Sequence, residues 1–206
     1  KMNKDGYEDI DTIMANNSKA LSVEEVKAEV VAGTLLLDTR TPGEFETGFV
    51  PGSVNIGLNG QYAPWVGTLV NPDASIVLIA TEGKEEEAVL RLARIGYTNV
   101  KGYLAKGVTS WAESGNTLDS VDTMPPDEFV KLNDAATINV LDVRNCGEHD
   151  QGMLASATRM KLGILKDNLA TLDKEKKYYV HCAGGYRSMI AVSIMKANGF
   201  DNLVNV

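Results

Sequence analysis

The sequence predicts an α/β protein of two similar halves, each a mainly parallel sheet flanked by helices. Three observations carry this. Short apolar runs alternate with amphipathic stretches, the order that builds parallel strands joined by crossover helices. The whole order recurs at a spacing of about 100 residues, which sets two domains rather than one. One apolar run ends at Cys182, and ligands of parallel sheets collect beyond the C-terminal strand ends.

The elements follow in order. Residues 1–20 read as a polar lead-in with one short amphipathic piece around Ile10 to Met14. The first domain spans 21–116. Ser22 precedes Val23-Glu24-Glu25-Val26, a capping box with Glu25 three residues on, and Gly33 ends that helix. Leu35-Leu36-Leu37 then form a buried strand ending at Asp38. Gly115 to Pro126, rich in Ser, Asp, Thr and Pro, reads as a linker. The second domain spans 125–206. Pro125-Pro126 open a helix carrying Phe129, Val130 and Leu132, and Ile138 to Val143 match the first strand. After Cys182, the pattern of Ile190, Val192, Ile194 and Met195 gives a helix broken at Gly199.

The repeat is visible residue by residue. Leu35 to Arg40 recurs as Asn139 to Arg144, so Asp38-x-Arg40 matches Asp142-x-Arg144. Glu44 matches Glu148, and Gly48 matches Gly152. Ser75 to Ala80 aligns with Lys176 to His181, and Gly96 to Val100 with Gly199 to Leu203. On this alignment Thr81 stands where Cys182 should have its counterpart, followed by the acidic run Glu82-Gly83-Lys84-Glu85-Glu86-Glu87. The first domain therefore reads as catalytically silent. The second half also stops early: Lys101 to Trp111 follow Val100 in the first half, only Val204-Asn205-Val206 follow Leu203, and the final helix has no counterpart. With no initial Met, the chain is expected to be a C-terminally truncated piece of something longer.

Composition narrows the function. Of 206 residues, 44% are hydrophobic and 23% charged, an ordinary globular mix. No apolar stretch approaches about 18 residues, so no membrane span is expected. Lys1 to Asp11 hold no apolar signal-peptide core. The net charge of −8 argues against nucleic acid, and an anionic substrate would need a locally built site. Two cysteines, Cys146 and Cys182, make no disulfide framework and suit a reducing cytoplasm. No His, Cys or Asp cluster has metal-ligand spacing, so neither metal nor cofactor is expected.

The chemistry concentrates in Cys182-Ala183-Gly184-Gly185-Tyr186-Arg187-Ser188. A cysteine at a strand end, a turn of two glycines and a helix start can surround a thiol with inward-pointing N–H groups. Such a cradle binds anions and favours the thiolate. Arg187 can help hold an anionic donor, and Ser188 can hydrogen-bond within the loop. Asp142 and Arg144 pair either with this loop or with each other; their retention as Asp38 and Arg40 favours a scaffold role. Cys146 reads as a helix-start cysteine, with a resolving role left open. His181 points away from Cys182 along the strand and reads as packing. His149 lies in a polar stretch and reads as exposed. Tyr186 either lines the pocket mouth or faces solvent.

These residues resemble the rhodanese (sulfurtransferase) family over about residues 20–206. The marks are Asp-x-Arg at the strand end, the following Glu and Gly, Pro51-Gly52-Ser53-Val54-Asn55-Ile56, and the Cys182-to-Ser188 loop. The resemblance implies two tandem rhodanese-like domains. It implies transfer of a sulfane sulfur from thiosulfate or a persulfide through a persulfide on Cys182. The acceptor would be a thiol or cyanide. Related phosphatases use a longer loop between the cysteine and the arginine, and a phosphatase is one alternative; a non-catalytic sulfur carrier is another. The tandem arrangement also resembles the C-terminal part of proteins that fuse a metallo-β-lactamase-fold domain to rhodanese domains, which would make such a domain a covalent partner.

Overall fold

The computed structural model describes residues 10–135 and 138–206. The nine residues before Ile10, which include most of the stretch read for a signal peptide, lie outside it. Two five-stranded parallel sheets follow one another along the chain.

In the first half, β1 (Ala20–Leu21), β2 (Leu35–Asp38), β3 (Val54–Asn55), β4 (Ile76–Ile79) and β5 (Val100–Leu104) lie in the order β1-β5-β4-β2-β3. In the second, β6 (Asp122–Thr123), β7 (Asn139–Asp142), β8 (Ala157–Arg159), β9 (Tyr178–His181) and β10 (Leu203–Asn205) lie in the order β6-β10-β9-β7-β8. The two orders are the same, so the sequence repeat is a repeat of topology. All strand pairs are parallel. The central strands are short and apolar because helices cover both faces; all four residues of β4 are buried.

Local signals form as the sequence predicts. Ser22 caps α2 (Val23–Val31), with its side chain on the Glu25 N–H and Glu25 returning to the Ser22 N–H. Each cap satisfies backbone donors that the first helical turn leaves open. Thr41 and Glu44 close the same box on α3 (Pro42–Thr47), and Asn145 and Glu148 on α8 (Cys146–Asp150). The lead-in contributes α1 (Ile10–Asn17), which buries Ile13 and donates from Asn17 Nδ2 to the Thr98 carbonyl at 2.8 Å.

The segment read as a linker is built into both halves. Phe49 and Asp119 exchange backbone hydrogen bonds at 2.9 Å, Val121 N–H donates to Glu46 O at 3.0 Å, and β6 then joins the second sheet. Serine and proline content marks this stretch as irregular, but Glu46 and Phe49 of the first half and strand β10 of the second supply partners for its backbone. In α7 (Pro126–Ala135), Phe129 is buried against the Tyr179 ring at 5.9 Å, whereas Val130 faces outward at 49% exposure.

The halves share one core. Leu37, Phe45, Phe49, Ile56 and Tyr62 of the first pack in a continuous cluster with Leu162, Leu165, Met189, Ile190 and Met195 of the second. Here α10 (Tyr186–Ala197) is central: every residue from Ser188 to Met195 is buried. A helix apolar all round needs cover on every side. One side is its own sheet, and the other is the β3 region, where Asn55 N–H donates to Ser193 Oγ at 2.9 Å. Lys196 Nζ reaches Asp119 at 3.0 Å beside it. Among the described residues no helix is long and apolar enough to cross a membrane.

Candidate active site

Strand β9 delivers Cys182 as the first residue beyond its C-terminal end. The chain turns through Ala183 and Gly184 to Gly185, whose φ of 79° lies in the left-handed region that favours glycine. Immediately after it, α10 begins at Tyr186. This tight return aims the N–H groups of Gly184, Ser188 and Arg187 at Cys182 Sγ. The thiol also lies 3.5 Å from Ser188 Oγ, and that fully buried hydroxyl donates to Gly185 O at 3.2 Å. Burial alone would push the Cys182 thiol up; the Ser188 hydroxyl and the three N–H groups outweigh it and bring it below the ordinary thiol range. The electrostatics of the cradle therefore favour a thiolate.

Arg187 is anchored by Glu148. Its Nη1 and Nη2 donate to Glu148 Oε2 and Oε1 at 2.6 and 2.8 Å, a two-pronged pairing of the kind that fixes geometry. The guanidinium is also within hydrogen-bonding reach of the Cys182 thiol, so it bridges Glu148 and Sγ rather than presenting a free fork to a donor. Glu148 is held at about 2 by this pairing, with help from the Asn145 N–H.

Asp142 and Arg144 pair with each other. Arg144 Nε and Nη2 donate to Asp142 at 3.0 and 2.7 Å, and Nη2 also reaches Gly152 O at 2.9 Å. Burial pushes Asp142 up, but Arg144 wins and its carboxyl sits at about 2. The first half repeats the pattern: Arg40 grips Asp38 at 2.6 Å and Gly48 O at 2.9 Å. Asp-x-Arg is thus a clamp that folds the following loop back onto the strand end.

Two histidines also converge on Asp142. His149 Nε2 lies 3.3 Å from Oδ1, and His181 Nε2 lies 3.4 Å from Oδ2. The expectation that His149 is exposed fails: it is 5% exposed, because the last turn of α8 packs its ring against the Asp142 strand end. His181 packs beside the Phe129 ring, but it does not point away from the site as the strand alternation predicts: it lines the cavity over Cys182, and burial lowers its pKa. Cys146 is exposed at the start of α8.

A cavity of about 600 Å3 opens over the thiol. Beside Cys182 and the glycines, its wall is largely apolar: Phe129, Val130, Met153, Leu154 and Val206, with Arg144 at one side.

The strand registers correct one sequence alignment. Asp38 pairs with Ile79, and Asp142 pairs with His181. Cys182 therefore corresponds to Ala80, one residue before Thr81, and Gly83 (φ 80°) corresponds to Gly185. A one-residue shift is hard to see in apolar runs that lack landmarks. The first half has no thiol at either position. There Glu44 Oε1 accepts from the Thr81 hydroxyl at 3.0 Å, in the place where Glu148 holds Arg187. Glu148 was visible in the sequence only as a repeated residue. Its retention as Glu44 was the available signal for a loop-anchoring role.

The rhodanese-like domain family matches residues 22–114 and 125–206. The chain is similar to YrkF of Bacillus subtilis, named as a candidate sulfur carrier, with 24% identity over 107 residues (52% of this chain, 57% of that protein). It is also similar to YtwF of the same organism, named as a candidate sulfurtransferase, with 36% identity over 67 residues (32% of this chain, 64% of that protein). Both matches thus span less than two thirds of those relatives. Among solved structures, a rhodanese-like domain protein from Staphylococcus aureus is 34% identical. That match covers 42% of this chain and 84% of the other, at a TM-score of 0.39.

Proposed function

This chain belongs to the rhodanese-like domain family, and on that premise we propose that it is a sulfurtransferase in which Cys182 carries the sulfur as a persulfide. The single observation that carries the proposal is the convergence of the Gly184, Arg187 and Ser188 N–H groups and the Ser188 hydroxyl on Sγ. A lowered thiol pKa raises the thiolate fraction, and the thiolate is the nucleophile.

The first step is attack of the Cys182 thiolate on the outer sulfur of the donor. With thiosulfate, the new Cys182 S–S bond forms as the donor's S–S bond breaks, and sulfite leaves with the bonding pair. With an organic persulfide, the leaving group is the thiolate R–S−. The cradle then holds the terminal sulfur of the Cys182 persulfide anion. In the second step a thiophilic acceptor, a thiol or cyanide, takes that sulfur and Cys182 leaves as thiolate. The first half, with Ala80 in the cysteine's place, performs neither step.

Intact-mass spectrometry after incubation with thiosulfate or an organic persulfide tests this. The expected result is a gain of one sulfur, about 32 Da, removed by cyanide and absent in Cys182→Ser. A gain that persists in that variant would move the chemistry to Cys146 and overturn the assignment.

A further inference from the structure

Among the described residues, the cavity over Cys182 is lined from the second half only, yet part of the cradle is held from the first. Tyr186 is the first residue of α10, directly before Arg187 and Ser188, whose N–H groups face the thiol. Its side chain crosses to the first half, where the hydroxyl donates to Gly57 O at 2.7 Å. The loop from Gly57 to Gly60 is shaped around the ring. A Cβ at Gly60 would overlap the Tyr186 ring, and one at Gly57 would come within 3.5 Å of it. Gly60 thus leaves room for the aromatic ring. Burial pushes the phenol up to about 12, so it stays protonated and donates throughout the neutral range.

The receiving loop is itself fixed. Arg91 Nη1 donates to Leu58 O at 2.8 Å, and the Arg91 guanidinium lies 5.1 Å over the Tyr62 ring. Further along α10, the Ser193 contact ties the helix to the same half, and Lys196 ties it to Asp119 of the connecting segment. The Tyr186 bond is the one of these nearest the thiol in sequence. Small changes in the helix start redirect two of the three N–H groups that face Sγ.

We infer that Tyr186 is a positioning residue: its seat in the Gly57–Gly60 loop fixes the direction of the Arg187 and Ser188 N–H groups, and through it the thiol-free first half controls formation of the Cys182 thiolate. This rests on Cys182 being the nucleophile. A merely structural tyrosine would change stability and leave thiolate formation alone.

The test is the pH dependence of iodoacetamide alkylation on the full chain, read separately at Cys182 and Cys146 by peptide mass spectrometry. Tyr186→Phe removes only the hydroxyl; Gly60→Val blocks the ring's seat from the first half. Each raises the Cys182 pKa, so alkylation at pH 7 slows by about three- to ten-fold, more for Gly60→Val, while the Cys146 rate stays put. Should Gly60→Val fail to fold, Tyr186→Phe decides alone. A depressed wild-type profile that neither folded variant moves overturns the inference and leaves the nucleophile standing. An ordinary thiol profile in the wild-type protein overturns both.

Discussion

The loops after β4 and β9 leave equivalent strand positions and turn through equivalent left-handed glycines, Gly83 and Gly185, yet only one surrounds a thiol. After β9 the helix start offers its N–H groups to Cys182, and Arg187 lies between Glu148 and the thiol. After β4 the thiol position is Ala80, and α5 (Glu85–Ala93) opens with three glutamates. Carboxylates at a helix N-terminus occupy the positive end that a substrate anion would need. The clamp below both loops is the same, Asp38 with Arg40 and Asp142 with Arg144. The comparison separates the scaffold from the thiol it positions: the clamp is kept in both halves, the cysteine in one.

The sharpest way to break this comparison is to move the thiol. Cys182→Ser should lower sulfur transfer by at least about 1,000-fold, as for loss of an enzyme nucleophile. Adding Ala80→Cys to that variant should not restore it, because the first-half loop lacks the Gly-Gly turn and carries acidic residues instead. Recovery measured in a thiocyanate-release assay would mean that the fold alone confers the activity.

The clamps allow a second comparison. Asp38→Asn strands the buried Arg40 guanidinium and should cost about 3–5 kcal/mol in denaturant unfolding, and Asp142→Asn strands the partly buried Arg144. The first-half change should cost more, because Arg40 is 8% exposed and Arg144 18%, so Arg144 recovers more water. Equal losses would show that the two clamps bear load alike.

Acid separates the halves more gently. Glu148 and Asp142 sit at about 2, below the ordinary carboxylate range near 4. A depressed folded-state pKa stabilises above the unfolded value, and that stability is lost as pH falls from about 4 toward 2. Glu148→Gln should therefore flatten the stability–pH curve in that window. Glu44→Gln should flatten it less, since, against the cost of its burial, Glu44 is lowered mainly by hydrogen bonds from Thr41 and Thr81, without a paired guanidinium fork like that of Arg187 on Glu148. Circular dichroism across an acid titration of each variant reads this directly.

The smallest effect concerns Cys146. It is exposed at the start of α8, and Cys146→Ser should leave turnover within about two-fold, the usual scale for an exposed residue outside the chemistry. A larger loss, together with a Cys146–Cys182 disulfide in the oxidised protein, would restore the resolving role.

Much of the fold was legible because it rests on local rules. Apolar runs gave the strands, the Ser22–Glu25 box gave a helix start, and Gly33 and Gly199 gave helix ends. The Cys182-to-Ser188 loop was legible for the same reason: a thiol, two glycines and a helix start are adjacent in sequence, so their geometry is set over a few residues. The alignment of Thr81 with Cys182 slipped because strand register is set by pairing across the sheet. His149 looked exposed because its polar neighbours are visible in sequence, while the Asp142 carboxylate that buries it is close only in space.

By itself, the amino-acid order determined two α/β halves, their repeat and one thiol at a strand end. Only the tertiary structure decided that Arg187 belongs to Glu148, that two histidines flank Asp142, and that Tyr186 reaches Gly57 across 129 positions of chain. These are long-range pairings. Each depends on where separate elements come to rest against a shared core, and no local pattern encodes that distance.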